Sequence, residues 1–322
     1  MKMINMKNRV CIFLTAFLFC LPAQSSECLY VSSYHPGYEW NDGIELGIEK
    51  VLNGKCKLDK FYMDTKRNKS VTFAKEMAVK AKDYIERTQP DVIMACDDNA
   101  SKYLVKPYYK NGKRPFVFCG INWTTKEYGY PYDNVTGMIE VAPIMPLLKV
   151  IQQSLDNPTE GVYLSADVLT EHKDFQRYKD QYEKNNIKLK GMFAKTMEEW
   201  KAAFLQAQSS DFVILNNNSG INDWNKREAL EHVNKHSKAF TVTNYIWMMS
   251  YSMLAMTKLP EEQGEWAGQV ALAILDGDSP KDIPVVVNRR WKIYLNPLLL
   301  TMSPAKIPHH IVHKAIHLGL GN

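Results

Sequence analysis

From residue 28 onward the chain alternates between short apolar runs and longer stretches with a helical period. The run Cys28 to Ser32 is β-like, breaks at Pro36 and Gly37, and gives way to a segment in which Ile44, Ile48, Val51 and Leu52 recur on one helical face. This predicts strand, loop, helix. The same reading continues with a strand over Leu58 to Asp64, a helix over Ser70 to Arg87 and a buried strand from Pro90 to Cys96. A helix over Ala100 to Tyr109, a strand from Arg114 to Asn122 and an extended piece from Val135 to Val141 follow. The second half repeats the rhythm: helices over Ile144 to Leu155, Glu171 to Asn185, Glu198 to Ser209 and Asn225 to Lys235 alternate with strands over Gly161 to Ala166, Leu189 to Lys195, Asp211 to Asn216 and Phe240 to Asn244. Such alternation predicts an α/β fold with parallel sheets covered by helices on both faces. Two runs of βα units with a crossing at Val141 to Pro146 predict two Rossmann-like lobes and a ligand cleft between them. The expected first lobe covers 27–141, completed by part of 250–295. The expected second lobe covers 142–244, with 296–322 packing near the hinge or on that lobe.

In open α/β sheets a ligand sits outside the carboxyl ends of the strands, so residues delivered there are the candidates for contact. The first half delivers Ser33, Tyr34 and His35, with Tyr38 and Trp40 in the same loop, then Asp64 and Thr65, then Asp97, Asp98 and Asn99, then Asn122 and Trp123. The second half delivers Asp167, then Lys195 and Thr196, then Asn216, Asn217 and Asn218, then Asn244 and Tyr245. Amides, hydroxyls and carboxylates with aromatic walls suit a small polar molecule held between two lobes. A purely structural reading competes with this one. Tyr38 and Trp40 can seal the top of a helix, one carboxylate of the Asp97–Asp98 pair can cap the next helix, and one asparagine can turn the chain. A cap needs only one side chain, which leaves the other aspartate to meet a ligand ammonium.

Residues 1–26 carry Lys2, Lys7 and Arg9, then the apolar run Val10 to Leu21, then Pro22 and small residues, the pattern of a secretory signal peptide. Export and cleavage between Ala23 and Glu27 are expected. Removing that segment takes away three of the 40 basic residues and none of the 35 acidic ones, which leaves a net charge of about +2. With no basic stripe interleaved with aromatics either, nucleic acid is not an expected partner. About 295 residues remain, enough for two lobes with cores of their own. No later run of 18 apolar residues suggests a membrane span. Four cysteines remain, and four allow three connectivities. Cys28 and Cys56 open neighbouring strands and form the expected pair; Cys96 and Cys119 end two later strands of the same sheet, so their pairing is left open.

Enzymatic signals are poor. No Gly-x-Ser-x-Gly elbow, phosphate-cradling glycine loop or HExxH appears, and His35 has no Ser or Cys partner by spacing. His309, His313 and His317, beside His310, would share one helical face, but three imidazoles on one helix need a ligand from elsewhere to surround a metal. Neither a metal nor another cofactor is expected. The alternative from another class is a secreted hydrolase or metal-dependent enzyme using His35 with Asp97 or Asp98.

The block Ser33-Tyr-His-Pro-Gly-Tyr-Glu-Trp-Asn-Asp-Gly-Ile-Glu-Leu-Gly-Ile48 resembles the opening of the ABC transporter substrate-binding protein family that includes the tryptophan and tyrosine binders. Gln89-Pro-Asp-Val-Ile-Met-Ala95, Pro115-Phe-Val-Phe-Cys-Gly-Ile-Asn-Trp123, Asn134-Val-Thr-Gly137 and the tail from Asn296 to Ala315 are similar to it in the same order. The resemblance implies a type I periplasmic binding protein fold and no enzymatic activity. It also implies a periplasmic location, a small-molecule ligand, and a membrane permease or a membrane-bound sensor (histidine kinase or diguanylate cyclase) as partner. A monomer or weak dimer is expected. Position by position it implies ligand contacts at Ser33 to His35, Asp97 to Asn99, Asn122, Asp167, Asn216 to Asn218 and Asn244. Relatives that bind amino acids carry a small, hydroxyl-rich loop where this chain has Asp97-Asp98-Asn99. That departure favours a ligand with positive or hydroxyl character.

Overall fold

The structure, a computed structural model, describes residues 26–319; the expected signal peptide lies outside them, Ser26 excepted. The chain opens with β1 (Glu27–Ser32), α1 (Glu39–Leu52), β2 (Lys57–Tyr62), α2 (Val71–Thr88) and β3 (Val92–Cys96). After a π-helical stretch at Ala100–Val105 come α3 (Lys106–Tyr108), β4 (Phe116–Asn122) and β5 (Val135–Glu140). Then follow α4 (Ile144–Ser154), β6 (Glu160–Ala166), α5 (Leu169–Glu183), β7 (Lys188–Ala194), α6 (Met197–Ala207), β8 (Phe212–Leu215), α7 (Lys226–His236) and β9 (Phe240–Thr243). The last part supplies β10 (Leu254–Lys258), α8 (Pro260–Leu275), β11 (Val286–Val287), β12 (Trp291–Leu295), α9 (Pro297–Leu300), α10 (His309–Lys314) and β13 (Ile316–His317).

These strands form two sheets, one of order β11-β5-β4-β3-β1-β2 and one of order β13-β12-β10-β9-β8-β6-β7. The first is parallel throughout; in the second only the β10–β12 pair is antiparallel. The expected two-lobed α/β architecture is therefore present. Central strands read as unbroken apolar runs because helices cover both faces: β3 is buried at every position, whereas every residue of edge strand β2 is exposed or half-buried.

The tail divides between the lobes. Strands β10, β12 and β13 extend the second sheet, while β11 returns to the first and α8 packs on α1. Glycines permit that helix contact. A Cβ on Gly264 would lie 1.9 Å from the Ile44 carbonyl oxygen, and one on Gly47 would lie 2.4 Å from that of Glu261.

The chain crosses between lobes after β5, after β10 and after β11. The three crossings are braced together. The Asn288 side chain accepts from the Val141 amide at 2.7 Å and donates to its carbonyl at 3.1 Å. Glu262 accepts from the amides of Arg289 and Arg290, both at 2.8 Å.

Disulfides join Cys28 to Cys56 and Cys96 to Cys119, with Cα–Cα distances of 5.9 and 4.6 Å. Cys96 and Cys119 are direct register partners on β3 and β4, which settles the pairing the sequence left open.

The expected helix over Ala100 to Tyr109 is corrected in two respects. It begins as a π-helix rather than an α-helix, and neither Asp97 nor Asp98 caps it. The Ser33 hydroxyl takes the capping role, accepting from the Ala100 amide at 2.9 Å while donating to the Cys96 carbonyl at 2.7 Å. Asp97 has φ +70°, in the left-handed region, which turns its side chain out of the capping position.

Candidate ligand-binding site

Where β1 ends, Ser33 anchors the loop internally and leaves the aromatic side chains to face outward. Tyr34 and Tyr38 meet edge to face at 5.3 Å, and the Lys66 ammonium sits 5.1 and 4.9 Å from their ring centroids. Trp40, in the first turn of α1, lies under Lys258 at 5.5 Å. Asp97 follows β3 and is 2% exposed; its Oδ2 is buried without a hydrogen-bond partner among the described residues. Glu140 ends β5 and pairs with Lys258 at the end of β10. From the second lobe come Asn244, whose amide bonds the Tyr178 hydroxyl, and Tyr245 and Trp247 with ring centroids 4.3 Å apart.

These groups line one cavity of about 290 Å³ to which both lobes contribute. Larger hollows open elsewhere, including one of about 560 Å³, but none of them combines the strand ends of both lobes. Trp247 is 51% exposed although it is a large apolar ring, so part of the cavity wall is uncovered.

Electrostatics set the character of the cavity. Burial, then Glu140 and Asp98 nearby, push the Asp97 carboxyl well above the usual carboxylate range; the Trp40 indole and Lys66 act in the opposite direction. Burial also raises Glu140, and Lys258 partly offsets it. Tyr245 is pushed up by burial and then by the acids Glu171, Asp174 and Glu140.

Of the residues expected from the sequence, Tyr34, Tyr38, Trp40, Asp97, Asn122, Asn244 and Tyr245 line this cavity. The others lie outside it. Ser33 is the buried anchor already described. His35 faces Asp64 at 3.6 Å, and Asn99 donates to the Thr65 hydroxyl at 2.8 Å. Asp98 is held by the Tyr128 hydroxyl at 2.5 Å and by Asn122 at 3.3 Å, one layer behind the cavity. Trp123 packs against the core of the second lobe with Arg177 4.6 Å from its ring centroid. Asp167 pairs with His172 and Lys195 at the surface. Asn216 and Asn217 donate to Glu171, a buried carboxylate that also accepts from Tyr163 and Ser165. That network holds the amide nitrogens of both asparagines against Glu171.

Sequence reasoning missed Lys66, Glu140, Trp247 and Lys258 as cavity residues. Glu140 carried a usable signal, an acid at the carboxyl end of a predicted strand. Lys258 carried none, because the short apolar run before it has no signature that separates a strand from a helix segment.

The family model for ABC transporter substrate binding proteins matches residues 34–318. The chain belongs to this family.

Solved structures extend the likeness to this substrate-binding protein's fold. The ligand-free, open structure of a substrate-binding protein with adhesive properties from Clostridium difficile is 15% identical with a TM-score of 0.72, covering 91% of this chain and 99% of that one. A domain from Streptococcus pneumoniae in complex with L-Trp is 18% identical with a TM-score of 0.57 and the same coverage of 91% and 99%. A periplasmic ribose ABC transporter protein from Conexibacter woesei is 10% identical with a TM-score of 0.53, covering 86% and 94%. At these identities the shared property is the type I periplasmic binding protein fold. A search of curated proteins found no match.

Proposed function

We propose that this substrate-binding protein captures a small ligand bearing an amine-like positive charge, amino-acid-like in character, and presents it to a membrane permease. The observation that carries the reading is the buried, unpartnered Oδ2 of Asp97 in a cavity walled by Tyr34, Trp40 and Tyr245. A desolvated carboxylate pairs strongly with an ammonium, and aromatic faces attract the same charge. Lys258 is already engaged by Glu140, whereas Lys66 is exposed and has no ion pair among the described residues, available to a ligand carboxylate. Closure of the lobes would bury Trp247 and the ligand together and give the permease a shape distinct from the open form.

The proposed setting is the periplasm. The leader-like pattern of residues 1–26 supports it, as do two disulfides of a kind that persist in oxidising compartments. No helix among the described residues is long and apolar enough to cross a membrane.

A thermal-shift screen of amino acids, amines, nucleosides and small sugars tests the reading, since a ligand at 100 times its dissociation constant adds about 2.7 kcal/mol of stability. Amines or amino acids are expected to raise the melting temperature. A shift produced by neutral sugars and by no cationic compound would sink the proposal.

A further inference from the structure

A second cavity, of about 560 Å³, lies beside the hinge and shares no lining residue with the cleft. Its floor is apolar, formed by Met256 of β10, Ile293 of β12, Ile311 of α10 and Val150 of α4, all buried. Its lining includes six basic side chains and no acidic one. Two of the six are answered from α8: Arg290 pairs with Glu265, and Lys292 with Glu261 at 3.4 Å. The side chains of Lys149, Arg289, His310 and Lys314 have no carboxylate partner among the described residues, although Glu262 accepts from the Arg289 backbone amide, and all four residues are exposed. They arrive from three separate places in the chain, namely α4, the link between β11 and β12, and α10.

General charge does not explain this concentration. The chain holds 40 lysines and arginines and 35 acidic residues, so a lining with five lysines or arginines and no acid departs from its average. A solvated basic face is convex or flat and has no apolar floor; this one is concave, and its volume falls within the range of small-molecule sites.

We propose that the cavity binds a small anionic amphiphile, with its acid group among Lys149, Arg289 and Lys314 and its apolar body on Met256, Ile293 and Ile311. Leu259, Arg289 and Arg290, which line it, belong to two of the three crossings between the lobes. An occupant therefore touches the hinge, and by linkage any effect it has on ligand affinity in the cleft is returned in equal measure.

The test uses 8-anilinonaphthalene-1-sulfonate, an anionic amphiphile whose fluorescence rises in water-excluded sites, titrated into the folded protein. Saturable binding is expected, weakened at least tenfold by Lys149→Glu combined with Lys314→Glu, weakened several-fold by Arg289→Gln, and reduced by added salt. Trp247→Ala, in the cleft, is expected to leave it in place. N-phenyl-1-naphthylamine, which has the same rings without the sulfonate, is expected to discriminate little between parent and variants. Circular dichroism and melting curves check that each variant is folded, and Arg289→Gln decides the matter if the double variant is not. Sulfonate binding that survives both sets of changes in folded protein, or that disappears with Trp247→Ala, would overturn the proposal.

Discussion

Glu140, the last residue of β5, is ion-paired with Lys258, the last residue of β10, so one strand end of each sheet is joined to the other at the wall of the cleft. The side chains are 7% and 18% exposed, so this is a buried pair, and removing one partner is costlier than removing both. Lys258→Met is expected to lower unfolding free energy by roughly 3 kcal/mol at neutral pH. The loss should shrink in acid, where a protonated Glu140 needs no partner. Glu140→Gln added to Lys258→Met should restore most of the stability. Urea denaturation at two pH values reads both effects, and an equal loss in the single and double variants would contradict the account.

Asp97→Asn separates a charged ligand from a neutral one. The change keeps the side-chain shape and removes the charge, so affinity for a cationic ligand is expected to fall by roughly 1.5 to 3 kcal/mol, the worth of a charged hydrogen bond. Calorimetric titration measures it. An unchanged affinity for the true ligand would remove Asp97 from the binding site.

Burial leaves the Asp97 carboxyl with a raised pKa, and this predicts a pH dependence with a defined sign. Below the raised pKa the empty site holds a proton that a cation must displace, so affinity rises with pH and binding releases protons. Titrations in buffers of different ionisation enthalpy detect that release. For the ligand-free protein the folded state holds more protons than the unfolded one between the ordinary carboxylate pKa and the raised one. Stability therefore falls as pH rises through that window.

Reduction should destabilise the first lobe specifically. The Cys28–Cys56 bridge spans a sequence separation of 28 residues, a loop whose closure is worth about 3 to 4 kcal/mol in the chain-entropy account. Melting with and without reductant should show a clear drop, and Cys28→Ser with Cys56→Ser should reproduce a large part of it. Identical melting curves would exclude this contribution.

At the helix contact, Gly264→Ala should cost roughly 1 to 3 kcal/mol, since the added Cβ must displace the backbone of α1 rather than a movable side chain. The same change at Gly54, where a Cβ meets nothing within 4 Å, exposes only the strain of a positive φ and serves as the comparison.

The architecture was legible because parallel strands buried on both faces leave unbroken apolar runs, as in Val92 to Cys96, and amphipathic helices between them keep their period. The tail was harder to read. Short strands such as Leu254–Lys258 have the same apolar signature as a helix segment, and their assignment rests on neighbours distant in sequence. In the site, strand-end placement found Tyr34, Asp97 and Asn244, but it could not distinguish a side chain facing the cleft from one engaged beneath it. Asn216 and Asp98 are engaged away from the cavity by Glu171 and Tyr128, each supplied by another element. Nothing in local sequence reveals such a partner.

The packing of α8 on α1 also bears on the order in which the molecule can be made. The first lobe takes its covering helix and its edge strand β11 from residues 260–287, beyond the β6-to-β10 stretch of the second lobe. A chain emerging from its amino terminus thus presents the glycine-lined face of α1 and the outer edge of β5 long before their partners exist. The second sheet, from β6 to β9, is by contrast assembled from one continuous stretch. Contacts of such long sequence separation form late, so the lobe synthesised first is the one that must wait, and it is the lobe that carries both disulfides.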